Sequence, residues 1–301
     1  MKQIILLTAI ALLSLSASAQ TIQSPNKKLS LTFSLSSAGE PVYQLNFGKK
    51  AIVLPSKLGI EVKDQASFVK GFSIAKVEST LWDESWNPVW GEVKTIRNNC
   101  RELKVTLAQS SEKNRQMKIV FRLFNEGLGF RYEFPDQENL NYFTVTNEKT
   151  EFHLAGDHKA FWIPGDFDTN EYAYNETKLS EVDAEIGRRV GEIFTRSPIS
   201  SNFVQTPLMM KSSDGLYINI FEAALVNYPA MCLEIDKKSF ALTSFVAPDA
   251  VGNKAYMQAP CKTPWRTVMV SEKAADILAS KLILNLNEPS KIADVSWIKP
   301  V

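Results

Sequence analysis

A cluster of oxygen-bearing side chains lies in the segment FWIPGDFDTNEY, which spans residues 161–172. Asp166, Asp168, Asn170 and Glu171 place four potential oxygen ligands within six positions. Hard cations such as Ca²⁺ bind several such oxygens at once, so the segment is a candidate calcium loop. It is not an EF-hand, because Glu171 stands at the sixth position, where that motif requires glycine. The loop could donate one or two ligands, and a polar turn after the Pro-Gly pair is the alternative.

Three tryptophans, Trp82, Trp86 and Trp90, occur within nine residues. Aromatic rings pack on the apolar faces of pyranose rings, while the carboxylates and the amide between these tryptophans could bond sugar hydroxyls. The three are therefore candidate substrate-binding residues. Tryptophans spaced by four residues are also typical of a packed protein core, and each of the three has that alternative.

Residue patterns for other common chemistries are absent. The sequence contains no G-x-S-x-G nucleophile motif, no phosphate-binding P-loop and no G-x-G-x-x-G following a strand. Its two histidines, His153 and His158, leave little room for a histidine metal site. Both are interpreted as structural or surface residues, although Asp157 beside His158 could shift its pKa. No catalytic residue is assigned.

The elements that must position these side chains are predominantly strands. Short segments alternate apolar and polar residues with period two, and turn residues separate them, which is typical of an antiparallel sandwich. Asn125–Gly129 is predicted as the turn of a hairpin because it carries two glycines. The predicted strands are Leu29–Leu35, Leu103–Leu107, Lys118–Phe124, Phe130–Phe134, Leu216–Ile220, Phe240–Val246, Arg266–Val270 and Lys281–Leu286.

Helical patterns are sparse. Ser271–Leu278 is predicted as a short helix with Ser271 as its N-cap, and Thr177–Val190 as a helix or an excursion over the surface. No repeated alternation of strands and helices occurs, so a (β/α)₈ barrel is not predicted within these residues.

Composition and charge limit which binding partners are expected. The chain is 45% hydrophobic and 22% charged, with a formal net charge of +1, so it can form a core and does not attract polyanions. Nucleic acid is therefore not an expected partner. Cys100, Cys232 and Cys261 form no C-x-x-C pair; one disulfide is possible, and buried free thiols are the alternative.

The N-terminus has the three parts of a secretory signal. Lys2 precedes the apolar run at residues 4–15, and the small residues at 16–19 predict cleavage after Ala19. The apolar run is too short to span a bilayer comfortably, and no later run is long enough. Residues 1–19 are thus predicted to be a signal peptide, and the mature protein to be exported to the periplasm.

Six ordered blocks carry a resemblance to a known family, and they span almost the whole mature chain. Together they resemble the N-terminal part of glycoside hydrolase family 97, which includes periplasmic α-glucosidases and α-galactosidases. The blocks are WDESWNPVWGE (82–92), FRLFNEGLGFRYEFP (121–135), AFWIPGDFDTNEY (160–172), GLYINIFEAAL (215–225), CKTPWRT (261–267) and SWIKPV (296–301).

The resemblance implies an all-β fold, an antiparallel β-supersandwich of the galactose-mutarotase-like class over residues 20–287. Residues 288–301 would then be a linker toward a (β/α)₈ barrel that carries the catalytic carboxylates. It also implies that Glu171 is one ligand of an active-site Ca²⁺, with the other ligands in the barrel. Asp166 and Asp168 are not implied as ligands.

The expected function is accordingly that of a non-catalytic domain of an exo-acting α-glycosidase that acts on α-linked oligosaccharides. This chain by itself is expected to be inactive, because glycoside hydrolysis needs a pair of carboxylates that these residues do not supply. Two alternatives remain. One is a stand-alone sugar epimerase that uses His153 or His158 with Glu222, and the other is a carbohydrate-binding module that uses the tryptophans.

Overall fold

A computed structural model describes residues 19–185 and 197–299. About 51% of the chain is strand and about 6% is helix, and the strands of the described residues pair antiparallel, so the predicted all-β sandwich is confirmed. The predicted signal peptide lies outside the described residues except for Ala19. No helix among the residues described is long and apolar enough to cross a membrane.

The largest sheet contains ten strands and positions both candidate sites. Nine of the strands follow one another across the sheet, and the tenth, β20 (Cys261–Lys262), pairs at the side with β9 (Gly127–Phe134). In spatial order the nine are β13 (Asn175–Lys178), β12 (Lys159–Trp162), β15 (Leu208–Lys211), β16 (Tyr217–Ala223), β21 (Trp265–Ser271), β9, β8 (Arg115–Phe124), β7 (Ile96–Gln109) and β6 (Phe72–Trp86).

Three smaller sheets pack on one face of this large sheet, here called its inner face. They consist of β1 (Gln20–Gln23), β2 (Leu29–Leu35), β3 (Pro41–Phe47) and β4 (Lys50–Lys57); β19 (Ala255–Gln258), β10 (Tyr142–Glu148) and β5 (Ile60–Val62); and β11 (Glu151–His153), β18 (Ala241–Val246), β17 (Met231–Ile235) and β14 (Phe203–Gln205). One apolar cluster joins all of these sheets.

Alternation of side chains builds this core. In β2, Leu29, Leu31 and Phe33 are fully buried while the residues between them are partly exposed, as expected for a strand with one face on the core. Phe33 packs on Phe121 of β8 with ring centroids 5.7 Å apart. The period-two pattern in the sequence therefore corresponds directly to burial.

Two short helices cover the opposite face, here called the outer face. They are α1 (Ala274–Ala279) and α2 (Leu282–Leu286). Leu282 and Leu286 are buried against Phe124 and Trp265. The predicted strand at Lys281–Leu286 is wrong, because Leu282 and Leu286 are spaced by four residues and share one face of a helix.

The other local predictions need smaller corrections. The helix predicted from Ser271 forms, but Lys273 occupies the N-cap position, and Ser271 ends β21. The hairpin of β8 and β9 also forms, but Gly127–Gly129 belong to β9 rather than to the turn. Gly127 is needed as a glycine there, because a Cβ would lie 2.6 Å from the carbonyl oxygen of Val268.

The segment predicted as a helix or a surface excursion begins differently. Thr177 and Lys178, its first two residues, belong to β13 at the edge of the large sheet. A 3₁₀ turn follows at Leu179–Glu181. Residues 186–196 lie outside the described part of the chain. The three cysteines are free thiols, with Cys100 and Cys232 buried and Cys261 partly exposed.

Candidate functional site

The acidic loop of residues 163–172 follows β12 near one edge of the large sheet. Its start is held by backbone hydrogen bonds, since Gly165 N–H donates to Phe203 O at 2.8 Å and Ile199 N–H donates to Gly165 O at 2.8 Å. A Cβ on Gly165 would lie 2.7 Å from the Cβ of Phe203, so only glycine fits this close approach. The Pro-Gly pair therefore anchors the loop as well as turning it.

Asp166 is the internal anchor of this loop. It is 5% exposed and accepts hydrogen bonds from the Tyr172 hydroxyl at 2.6 Å, from Ser197 N–H at 2.8 Å and from Asp168 N–H at 2.9 Å. Burial alone would raise the pKa of Asp166, but these hydrogen bonds outweigh it and hold the pKa below its usual value. With its oxygens occupied in this way, Asp166 shapes the loop and is a poor metal ligand.

Glu171 is exposed at the end of the same loop. Its N–H donates to Thr169 Oγ1 at 3.1 Å, and Thr169 O accepts a bond from Gln205 Nε2 at 2.7 Å. The backbone next to Glu171 is thus tied to β14 of a smaller sheet, while the Glu171 side chain is exposed. Among the residues described, no group of three His, Cys, Asp or Glu side chains could hold a metal. The exposed carboxylate of Glu171 could supply one or two of the oxygens that a calcium ion needs. The remaining oxygen ligands would have to come from outside this loop.

Asp166→Asn is expected to lower the free energy of unfolding by about 1–3 kcal/mol, because an amide nitrogen would face N–H and O–H donors in a buried position. The pKa of Asp166 is depressed in the folded state, so its contribution is present above the ordinary carboxyl pKa and is lost as pH falls through the depressed pKa. Urea unfolding of residues 20–301 between neutral and acidic pH measures both effects. Asp168→Asn, at an exposed position, is the matched control, and equal losses in the two variants would contradict the anchoring role.

A groove on the outer face collects two of the three tryptophans. Trp82 and Trp86 lie on β6, and both line a groove of about 740 Å³ bounded on its other side by α2 and residues 287–290. Trp90 follows β6, is 54% exposed and does not line the groove. The three candidate substrate-binding residues are therefore not one platform.

The groove also holds charged residues that sequence reasoning did not single out. Arg122 pairs with Glu102 at 2.8 Å, and Arg131 pairs with Glu133 at 2.7 Å. Both guanidinium groups lie over the ring of Trp265, at 5.1 Å and 4.3 Å from its centroid. The available signal was the alternation within β8 and β9, where these arginines interrupt apolar residues on the face opposite the core.

The loop and the groove lie near opposite edges of the large sheet. Glu171 follows β12, while Trp82 and Trp86 are on β6, seven strand spacings away in the sheet order. At about 4.8 Å per spacing, this is on the order of 30 Å measured along the sheet. The Glu171 loop and the tryptophan groove are therefore two separate candidate sites. The sequence alone does not show whether they lie together or apart.

The carboxylate of the epimerase alternative, Glu222, is already paired inside the core. Glu222 is 6% exposed, and its carboxylate binds Arg266 Nη1 at 2.5 Å. His153 belongs to β11 in a different sheet. Burial lowers the pKa of His158, and the nearby charges of Asp214 and Asp157 only partly oppose this. A carboxylate held this way inside the core is not available as a base for a bound sugar.

The fold and these sites define a β-sandwich domain with an exposed acidic loop at one edge and an aromatic groove at the other. The chain belongs to the family described as Glycosyl-hydrolase 97 N-terminal, whose model matches residues 22–289. The resemblance seen in the sequence blocks is thereby confirmed.

The chain is also similar to solved structures and to a curated protein, which are described below. The chain is similar to a glycoside hydrolase family 97 enzyme from Pseudoalteromonas sp. strain K8 in complex with acarbose, with 35% identity, a TM-score of 0.83, and coverage of 93% of this chain and 40% of that one. The same values hold for a complex with panose. A retaining α-galactosidase from Bacteroides thetaiotaomicron is 21% identical over 98% of this chain. The chain spans 45% of the length of that relative.

Proposed function

We propose that this domain serves an exo-acting α-glycosidase by supplying Glu171 as one ligand of an active-site Ca²⁺. The observation that supports this is an exposed glutamate on a loop whose backbone is tied to β14, while the carboxylate of Asp166 in the same loop already accepts hydrogen bonds within the loop. A (β/α)₈ barrel domain would supply the other ligands and the catalytic carboxylates. When bound, the ion would act as a Lewis acid or orient the reacting groups.

The proposed substrates are α-linked oligosaccharides, with α-glucosides favoured over α-galactosides. The relative that was solved with acarbose and panose is 35% identical, whereas the α-galactosidase is 21% identical. Panose is built from α-linked glucose units. The predicted signal peptide at residues 1–19 further favours the periplasm as the place of this activity.

The variant Glu171→Gln tests the proposal in a protein that contains both this domain and the barrel. Calcium affinity and turnover of an α-glucoside are expected to fall by at least about tenfold, because a neutral amide replaces a charged ligand. The isolated mature chain is expected to bind Ca²⁺ at best in the millimolar range, since one side chain supplies few of the six to eight oxygens. It is also expected to hydrolyse no α-glucoside.

Glu176→Gln is the matched control. Glu176 is exposed on the neighbouring β13 and pairs with the equally exposed Lys159, so its replacement removes a charge from the same edge of the sheet without touching Glu171. Normal activity and calcium dependence in the Glu171→Gln enzyme would show that Glu171 is not a ligand.

A further inference from the structure

The groove on the outer face combines two tryptophan rings with polar side chains that can bond to hydroxyl groups. The residues that would contact a ligand are Trp82, Glu84, Trp86, Asn98 and Arg122. We propose that this groove is a second carbohydrate-binding site, which takes a neutral oligosaccharide at a distance from the Glu171 loop. Its volume of about 740 Å³ is in the range of ordinary small-molecule sites.

The aromatic wall is held in place before any ligand arrives. Trp86 is 37% exposed, and its Nε1–H donates to Asn285 Oδ1 at 2.9 Å, while Asn285 Nδ2 donates to Arg97 O at 3.0 Å. Trp82 is half-buried, and the Arg122 guanidinium lies 5.5 Å from its ring centroid. A fixed ring loses little conformational freedom on binding, which favours affinity for a weakly held sugar.

The two rings share one face of β6 with a polar residue between them. Positions 82, 84 and 86 alternate onto the same side of the strand, so Glu84 lies between the rings and Asn98 lies opposite it on β7. Four residues of strand separate the tryptophans by about 13 Å. Sugar units could therefore pack on the rings while their hydroxyls reach the carboxylate and amide between them.

Two polar atoms of groove-lining residues have no partner among the residues described. They are Asn98 Oδ1, in a side chain that is 7% exposed, and Trp82 Nε1. Asn98 Nδ2 donates to Glu84 Oε1 at 2.9 Å, which orients the Glu84 carboxylate in the groove. A buried polar atom without a partner costs about 1–3 kcal/mol. Both atoms are enclosed by the protein, so a sugar hydroxyl would bond instead to the exposed Glu84 carboxylate beside them.

The charges around the groove favour a neutral ligand over an anion. Arg122 is neutralised by Glu102, and Arg131 by Glu133. Lys262 is bound to Glu288. A phosphate or an acidic sugar would have to break these pairs, whereas a neutral sugar can bond to their edges.

Calorimetric titration of the mature chain with maltotriose and with raffinose tests the proposal. The choice of these α-linked probes rests on the proposed function, although the groove itself does not. Binding of at least one probe is expected with a dissociation constant on the order of 0.1–1 mM. Trp86→Ala is expected to weaken it at least about tenfold, and Trp86→Phe, which keeps an aromatic face, is expected to weaken it less.

Two control variants distinguish binding in this groove from binding elsewhere on the chain. Trp297→Ala removes a tryptophan that is 69% exposed and does not line the groove, and its binding is expected to be unchanged. Glu171→Gln is also expected to bind normally, so failure of the calcium proposal would leave this one standing. Absence of binding by the unaltered chain to both probes would overturn the inference. Equal affinities in Trp86→Ala and the unaltered chain, with circular dichroism showing both folded, would also overturn it.

Discussion

Replacing Arg266 by methionine is expected to lower the free energy of unfolding by about 3–5 kcal/mol, because it leaves two buried carboxylates without their cation. Arg266 is 1% exposed and donates from Nε and Nη2 to Glu148 at 2.8 and 2.7 Å. Its Nη1 donates to Glu222 at 2.5 Å, and the Tyr228 hydroxyl donates to Glu148 at 3.0 Å. The cluster joins β10 to the centre of the large sheet.

The loss in Arg266→Met should be larger at neutral than at acidic pH. Burial would raise the pKa of Glu148, but the Arg266 charge and hydrogen bonds lower it overall; for Glu222, burial dominates and raises the pKa. Without the arginine, both carboxyl pKa values should lie above their unfolded values. The folded variant then binds more protons than the unfolded chain, and its stability falls as pH rises through that window.

Urea unfolding of residues 20–301 at several pH values measures this effect. Arg97→Met is the control, because Arg97 pairs with Asp83 at 2.7 Å but both side chains are exposed, and exposed pairs contribute little. If Arg266→Met and Arg97→Met lost equal stability, the buried cluster would not be what joins β10 to the large sheet.

The double variant Leu282→Ala, Leu286→Ala is expected to lose about 4 kcal/mol or more, since each buried leucine truncated to alanine costs about 2–5 kcal/mol. The two side chains are 0% and 1% exposed and join α2 to Trp265 on the outer face. Leu286 also occupies the space over Gly129, where a Cβ would lie 2.6 Å from its Cδ1. Detaching α2 would remove one wall of the tryptophan groove.

Unfolding measurements and binding of a hydrophobic dye report this change, and dye binding should rise as Trp265 becomes accessible. Leu278→Ala, at a position that is 89% exposed in α1, is the control and should have little effect. An unchanged stability in the double variant would mean that α2 does not pack on the sheet.

Local patterns predicted much of the architecture because strands leave a short-range signal. The alternation in Leu29–Leu35 corresponds residue by residue to burial in β2. The same reasoning failed at Lys281–Leu286, where a run of a few apolar residues fits a strand or a buried helix equally well. Only the contact with the outer face of the sheet decides between them there.

The sequence by itself determined that the chain is an all-β sandwich and that it belongs to its family. It also determined that Glu171 is part of a loop rich in oxygen-bearing side chains. The tertiary structure alone decided that Asp166 is an anchor, that Trp90 lies apart from Trp82 and Trp86, and that a buried Arg266 joins two carboxylates. Motifs and alternation are properties of neighbouring residues, so a sequence displays them. Strand order and ion pairing join residues far apart in the chain, such as Glu148 and Arg266, and depend on how the sheets pack.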